Sequence, residues 1–259
     1  MTKTIVLIHG AWLSPDSWDG VKARYESKGY TVIAPGWPHD DRPAAELQAS
    51  PNPDLKNVGV ARIVEHYETI IKRLPEKPII MGHSFGGLFT QLLADRALGA
   101  AAVAIDPGAP AGVFPGVRTL LSAAPVFIAP FGWARALRMS FGGFASNFAQ
   151  TLPEDEKRPN YERFIVPTPG KIYYQAGVGV GTSIDWKNPY RPPLLIIGAE
   201  KSRIISPSAT RALFKRQSRS PVKTDFKVFP GRSHWLMRET GWEEIADFAL
   251  DWAEKNATA

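Results

Sequence analysis

The sequence predicts an α/β fold: a mostly parallel sheet of about six strands, flanked by helices, with a helical segment inserted late in the chain. Three observations predict it. Short apolar runs rich in β-branched residues recur between helical patterns, as strands buried on both faces require. One such run, Pro78-Ile79-Ile80-Met81, ends in Gly82-His83-Ser84-Phe85-Gly86 and passes at once into a helical pattern. The strand–helix rhythm lapses between residues 111 and 190, in a stretch rich in Phe, Pro and Gly, and resumes at Leu194. Residues 1–110 and 191–259 are therefore expected to form the sheet core, and 111–190 a helical lid.

The elements follow in order. Thr4 to His9 is a nearly continuous apolar run and predicts the first buried strand. Ser17 to Lys28 predicts a helix with Trp18, Val21 and Tyr25 on one face, closed by Gly29. Tyr30 to Ala34 is the next strand, followed by a turn-rich loop from Pro35 to Pro43. Ala44 to Asn57 is polar and interrupted by proline, which predicts an irregular surface connection. From Val58 to Leu74 an apolar stripe of Val60, Ile63, Val64, Tyr67, Ile70, Ile71 and Leu74 predicts a helix. After the Ser84 turn, Leu88, Leu92, Leu93 and Ala97 carry a helix along the sheet. Ala100 to Asp106 is a further strand, ending on a carboxylate. Leu194 to Gly198 reopens the sheet, and Ser206-Pro207 starts a helix through Gln217 with proline in its first turn. Thr224 to Phe229 alternates as an outer strand does. Thr240-Gly241-Trp242-Glu243 reads as a capping box for a final helix.

Composition bounds the chemistry. A chain of 259 residues with 44% hydrophobic content suits one large α/β domain. It contains no cysteine, so disulfide frameworks and thiolate metal sites are excluded. The N-terminus has no secretory pattern and no apolar stretch is long enough to span a bilayer, so a cytoplasmic protein is expected. The net charge is +6, but the basic residues are scattered. Their densest group, Arg211, Lys215, Arg216 and Arg219, has the spacing of a solvated helix face, and no nucleic-acid motif accompanies it. His39 with Asp40 and Asp41 has no further ligand at metal-binding spacing, so no metal is expected.

The Ser84 turn carries the chemistry. Gly-x-Ser-x-Gly between a strand and a helix is a nucleophile elbow: a turn so tight that residues two before and two after the serine have no room for side chains. It lifts the Ser84 hydroxyl clear of the sheet and places the Phe85 N–H at a helix N-terminus, where it can stabilise an oxyanion. A serine hydroxyl needs a base. Of the five histidines, only His234 follows Ser84, in the loop Pro230-Gly231-Arg232-Ser233-His234. Ala11, in the turn after the first strand, is the candidate second oxyanion donor. Trp12, Trp37, Trp133 and Trp235 are candidate substrate contacts, and the aromatics of the lid suit a substrate with an apolar group.

His9-Gly10-Ala11-Trp12, Gly82-His83-Ser84-Phe85-Gly86-Gly87 and Gly231-Arg232-Ser233-His234 stand in the order of the oxyanion, nucleophile and base motifs of the α/β-hydrolase superfamily, which the chain resembles over nearly its whole length. The HGAW opening is similar to that of plant methylesterases, hydroxynitrile lyases and small bacterial esterases. The resemblance implies the α/β-hydrolase fold and a cofactor-free Ser-His-Asp mechanism on a small-molecule ester. It also exposes a departure. The superfamily's usual acid position, in Gly198-Ala199-Glu200-Lys201-Ser202-Arg203, holds Ser202. Three readings stay open: Asp106 supplies the acid from the preceding strand end, Glu200 reaches back, or no acid is present. Asp106 is preferred as the strand-end carboxylate nearest the elbow strand in sequence. Esterase or lactonase activity is the leading expectation. Lyase-like or oxygenase chemistry without a cofactor, or ligand binding without turnover, are the alternatives. Substrate identity and oligomeric state are not legible in the chain.

Overall fold

The computed structural model describes residues 2–258. Eight strands occur in chain order: β1 (Thr4–Ile8), β2 (Thr31–Ile33), β3 (Ile79–His83), β4 (Ala101–Ile105), β5 (Ala136–Leu137), β6 (Thr168–Pro169), β7 (Leu194–Ala199) and β8 (Thr224–Phe229). Six of them make one sheet in the order β2-β1-β3-β4-β7-β8, and every pairing in it is parallel. β5 and β6 pair antiparallel as a separate short ribbon.

The helices are α1 (Asp19–Ser27), α2 (Ala44–Ala49), α3 (Val60–Lys72), α4 (Phe85–Asp95), α5 (Val117–Ile128), α6 (Phe141–Gly143), α7 (Glu154–Phe164), α8 (Lys171–Val178), α9 (Pro207–Gln217) and α10 (Trp242–Asn256). Strand alternation sorts them onto two faces. Ile5, Leu7, Ile79 and Met81 pack with Val21 and Tyr25 of α1 and with Ile245 and Leu250 of α10. Val6, Ile8 and Ile80 pack with Ile63 and Tyr67 of α3 and with Phe89 and Leu93 of α4. Side chains this deeply buried each contribute about 1.5–3 kcal/mol. Four helices and the β5–β6 ribbon lie between β4 and β7, in the stretch where the sequence rhythm lapses.

Three expectations need correction. Residues 44–57 are not irregular: α2 occupies the first half, and a 3-10 turn spans Pro53–Asn57, capped by the Asn52 side chain, which accepts from the Asp54 N–H at 2.9 Å. Ala44, Leu47 and Leu55 are buried beneath the polar residues that mask them in the sequence. The first helix opens as a 3-10 turn, Pro15–Trp18, before α1 begins at Asp19. Thr240 caps nothing. α10 starts from Gly241, whose left-handed φ of 81° leaves no place for a capping box. The guanidinium of Arg232 donates instead to the carbonyls of Thr240 and Gly241, tying the α10 start to the His234 loop.

Candidate active site

Two neighbouring strands end on residues forced into the left-handed backbone region. Ser84 follows β3 with φ 57°, and Asp106 follows β4 with φ 39°. Such backbone costs on the order of 1–3 kcal/mol per residue and persists only where surroundings enforce it. Here the Ser84 N–H donates to Ile105 O at 3.0 Å, the Gly108 N–H donates to Ser84 O at 2.9 Å, and the Asp106 N–H donates to Ile197 O at 2.6 Å. The turn is closed tightly enough that a Cβ at Gly82 would stand 2.2 Å from Gly86 O, and one at Gly86 2.0 Å from Ile8 O. A Cβ at Gly10 would stand 2.8 Å from Ser84 Cβ, so the loop after β1 rests directly on the elbow.

The structure brings Ser84, His234 and Asp106 into one chain of contacts. His234 Nε2 lies 2.9 Å from Ser84 Oγ, and His234 Nδ1 lies 2.5 Å from Asp106 Oδ2. Asp106 Oδ1 accepts from the Ala199 N–H at 3.3 Å. Burial raises the Asp106 pKa, and the neighbouring Ser202 hydroxyl pulls it back down. Burial lowers the His234 pKa, so the ring rests neutral, with one nitrogen free to accept a proton. Glu200, the rival acid, is exposed and accepts from the Gly231 N–H at 2.8 Å, which steadies the histidine loop without touching the ring.

The sign of the histidine shift sets a pH dependence. As pH falls through the lowered pKa the imidazole becomes cationic and can no longer take a proton from Ser84. The acid limb of kcat/KM for a neutral ester is therefore expected below the ordinary histidine value of about 6.5. A pH–rate profile checks this, and a midpoint at or above that value contradicts it.

The expected oxyanion donor Phe85 is joined by groups that hold the site in place across long stretches of chain. Thr168 Oγ1 accepts the Trp12 N–H at 2.6 Å and the Val166 N–H donates to Trp12 O at 3.0 Å, pinning the loop that carries Ala11. Phe85 is the first residue of α4, so its N–H has no intrahelical acceptor. His83 Nε2 donates to the His234 carbonyl at 2.9 Å, and the two rings stand 4.6 Å apart. Glu239, buried just beyond the histidine, accepts from the Ser233 N–H at 3.0 Å and from its hydroxyl. None of these contacts joins residues whose spacing forms a motif, which is why the chain alone conceals them.

Ser84 opens onto a cavity of about 530 Å³ lined by Trp12, Phe85, Leu88, Phe127, Tyr173, Ile204, Ile205 and Leu213, among others, with no charged side chain. Tyr173 lies edge-on to Phe85 with ring centroids 4.9 Å apart, and 5.1 Å from Trp12. Burial pushes its phenol pKa well up, so it stays a neutral donor. Of the four candidate tryptophans only Trp12 lines the cavity. Trp37 is buried, stacked on His9 at 4.8 Å and edge-on to Phe89 at 5.4 Å. It follows edge strand β2, whereas the cavity stands over the ends of β3 and β4. Trp235 is buried in a cluster with Phe144, Phe148 and Phe164 and does not line the cavity. Trp133 lies half-exposed against Phe131 and Tyr174.

The alpha/beta hydrolase family model matches residues 5–248. No curated protein sequence matches the chain. Among solved structures, a monoacylglycerol lipase from Paleococcus ferrophilus is similar, with a TM-score of 0.69 and 21% identity over 98% of this chain and 95% of that one. A methylesterase from Arabidopsis gives a TM-score of 0.71 at 13% identity, over 97% of this chain and 98% of that one. The pyrethroid hydrolase PytH gives 0.67 at 20% identity over 100% of both chains.

Proposed function

The chain belongs to the alpha/beta hydrolase family, and from that premise we propose that it is a serine hydrolase cleaving carboxylic esters or lactones of small to medium size with an apolar group. One observation carries the reading: the hydroxyl–imidazole–carboxylate chain through Ser84, His234 and Asp106 ends on an apolar cavity. In this reading Ser84 Oγ attacks the ester carbonyl as His234 Nε2 takes its proton. The carbonyl oxygen becomes an oxyanion held by the Ala11 and Phe85 amides. When the tetrahedral adduct collapses, the alkoxide leaves with the proton from His234, and the acyl group stays on Ser84. A water molecule, deprotonated by the same nitrogen, then releases the acid. Asp106 keeps the Nδ1 proton in place throughout and stabilises the imidazolium. An uncharged lining favours a neutral substrate, since a charge buried there would lose hydration without gaining a partner. Residues 111–190 serve as the lid over this cavity.

Lyase-like or oxygenase chemistry drew its motive from Ser202 at the usual acid position. The Asp106–His234 contact removes that motive. A fluorophosphonate probe tests the hydrolase reading. Stoichiometric labelling of Ser84, with a burst of alcohol release from a p-nitrophenyl ester, supports it. Absence of labelling, or labelling that persists in Ser84→Ala, rules it out.

A further inference from the structure

The lid stretch presents an apolar surface that the catalytic reading does not use. Between residues 114 and 180, nine large apolar side chains are exposed, among them Ile128 at 79%, Leu121 at 68% and Phe131 at 68%. Outside this stretch, among the described residues, the comparable case is Tyr190. Phe114, Leu120 and Val178 belong both to this surface and to the lining of the cavity that reaches Ser84, so the patch rims the cavity mouth. Soluble monomers rarely leave so much apolar surface together without a partner for it.

The charge around the patch is one-sided. No Asp or Glu occurs from 107 to 153, from 163 to 184, or from 201 to 224. Arg118 and Arg135 stand exposed within the lid stretch. Lys215, Arg216 and Arg219 line a groove of about 280 Å³ that shares Gly112, Val113 and Phe114 with the cavity mouth. A second copy of the chain packed symmetrically on this face would set those cations against themselves. An anionic amphiphile layer answers both features, taking up the apolar side chains while its headgroups pair with the basic rim.

We propose that the face formed by α5, the Phe131–Trp133 turn and the basic end of α9 with Arg219 just beyond it docks on a negatively charged lipid surface, so that the cavity mouth opens onto the layer. The test draws on no turnover and stands or falls apart from the hydrolase reading. Ser84→Ala protein is sedimented with vesicles of phosphatidylcholine, alone and with phosphatidylglycerol added, while light scattering records its oligomeric state. The expected result is binding that rises with phosphatidylglycerol and weakens with salt. Leu121→Ser with Ile128→Ser is expected to lower partitioning about a hundredfold on the anionic vesicles. Lys215→Gln and Arg219→Gln are each expected to lower it about fivefold there and to leave residual binding to phosphatidylcholine unchanged. All four side chains are exposed, so circular dichroism should show the wild-type fold. Failure to sediment with either vesicle overturns the proposal. So does binding indifferent to phosphatidylglycerol, or a dimer that Ile128→Ser dissolves, which would assign the face to a second copy.

Discussion

Ser84→Ala is expected to lower kcat on an apolar chromogenic ester about a million-fold, with the fold retained. Removing the hydroxyl leaves no neighbouring nucleophile to replace it. The closest alternative in sequence to the base, Ser233, has its hydroxyl committed to Glu239. Alanine bears the left-handed backbone at 84 no better than serine, so the strain is carried over unchanged and thermal stability should move little. Initial rates and a melting curve measured together separate lost chemistry from lost structure. Turnover within a hundredfold of wild type would eliminate an acyl-enzyme on this residue.

Asp106→Asn is expected to cost about four orders of magnitude in kcat, while Glu200→Gln stays near wild type. An asparagine amide facing Nδ1 favours the tautomer with the proton on Nε2, the nitrogen that must accept from Ser84. Glu200 touches the loop only through Gly231, so its loss loosens the approach to His234 without altering the ring's charge. Parallel kcat measurements on both variants decide between the two carboxylates. Equal activity would remove Asp106 from the mechanism.

What the chain reveals and conceals follows from the range of each contact. The elbow is legible because its constraints are local: Gly82, Ser84 and Gly86 must sit at fixed offsets to make one turn. The histidine that meets Ser84 is legible because one histidine remains downstream. The acid stays open in the chain between Asp106, Glu200 and none, because Asp106 lies 128 residues from His234 and meets it only once the sheet has formed. Trp37, Trp133 and Trp235 misled because an aromatic near a motif looks the same in sequence whether it faces substrate or fills the core. The tie from Thr168 to Trp12 spans 156 residues and leaves no trace in any window. Residues 44–57 were misread because polar side chains outnumber the three apolar ones that anchor that segment.

With a carboxylate at the end of β4 against His234, the turn after β7 has different obligations in the proposed mechanism. Ile204 and Ile205 in that turn face the cavity, while the Ser202 hydroxyl lowers the pKa of the buried Asp106 carboxyl. In the proposed mechanism, selectivity and proton handling thus reside on separate segments. A redesigner could reshape residues 203–206 to admit a longer or bulkier acyl chain without disturbing the imidazole's counter-ion.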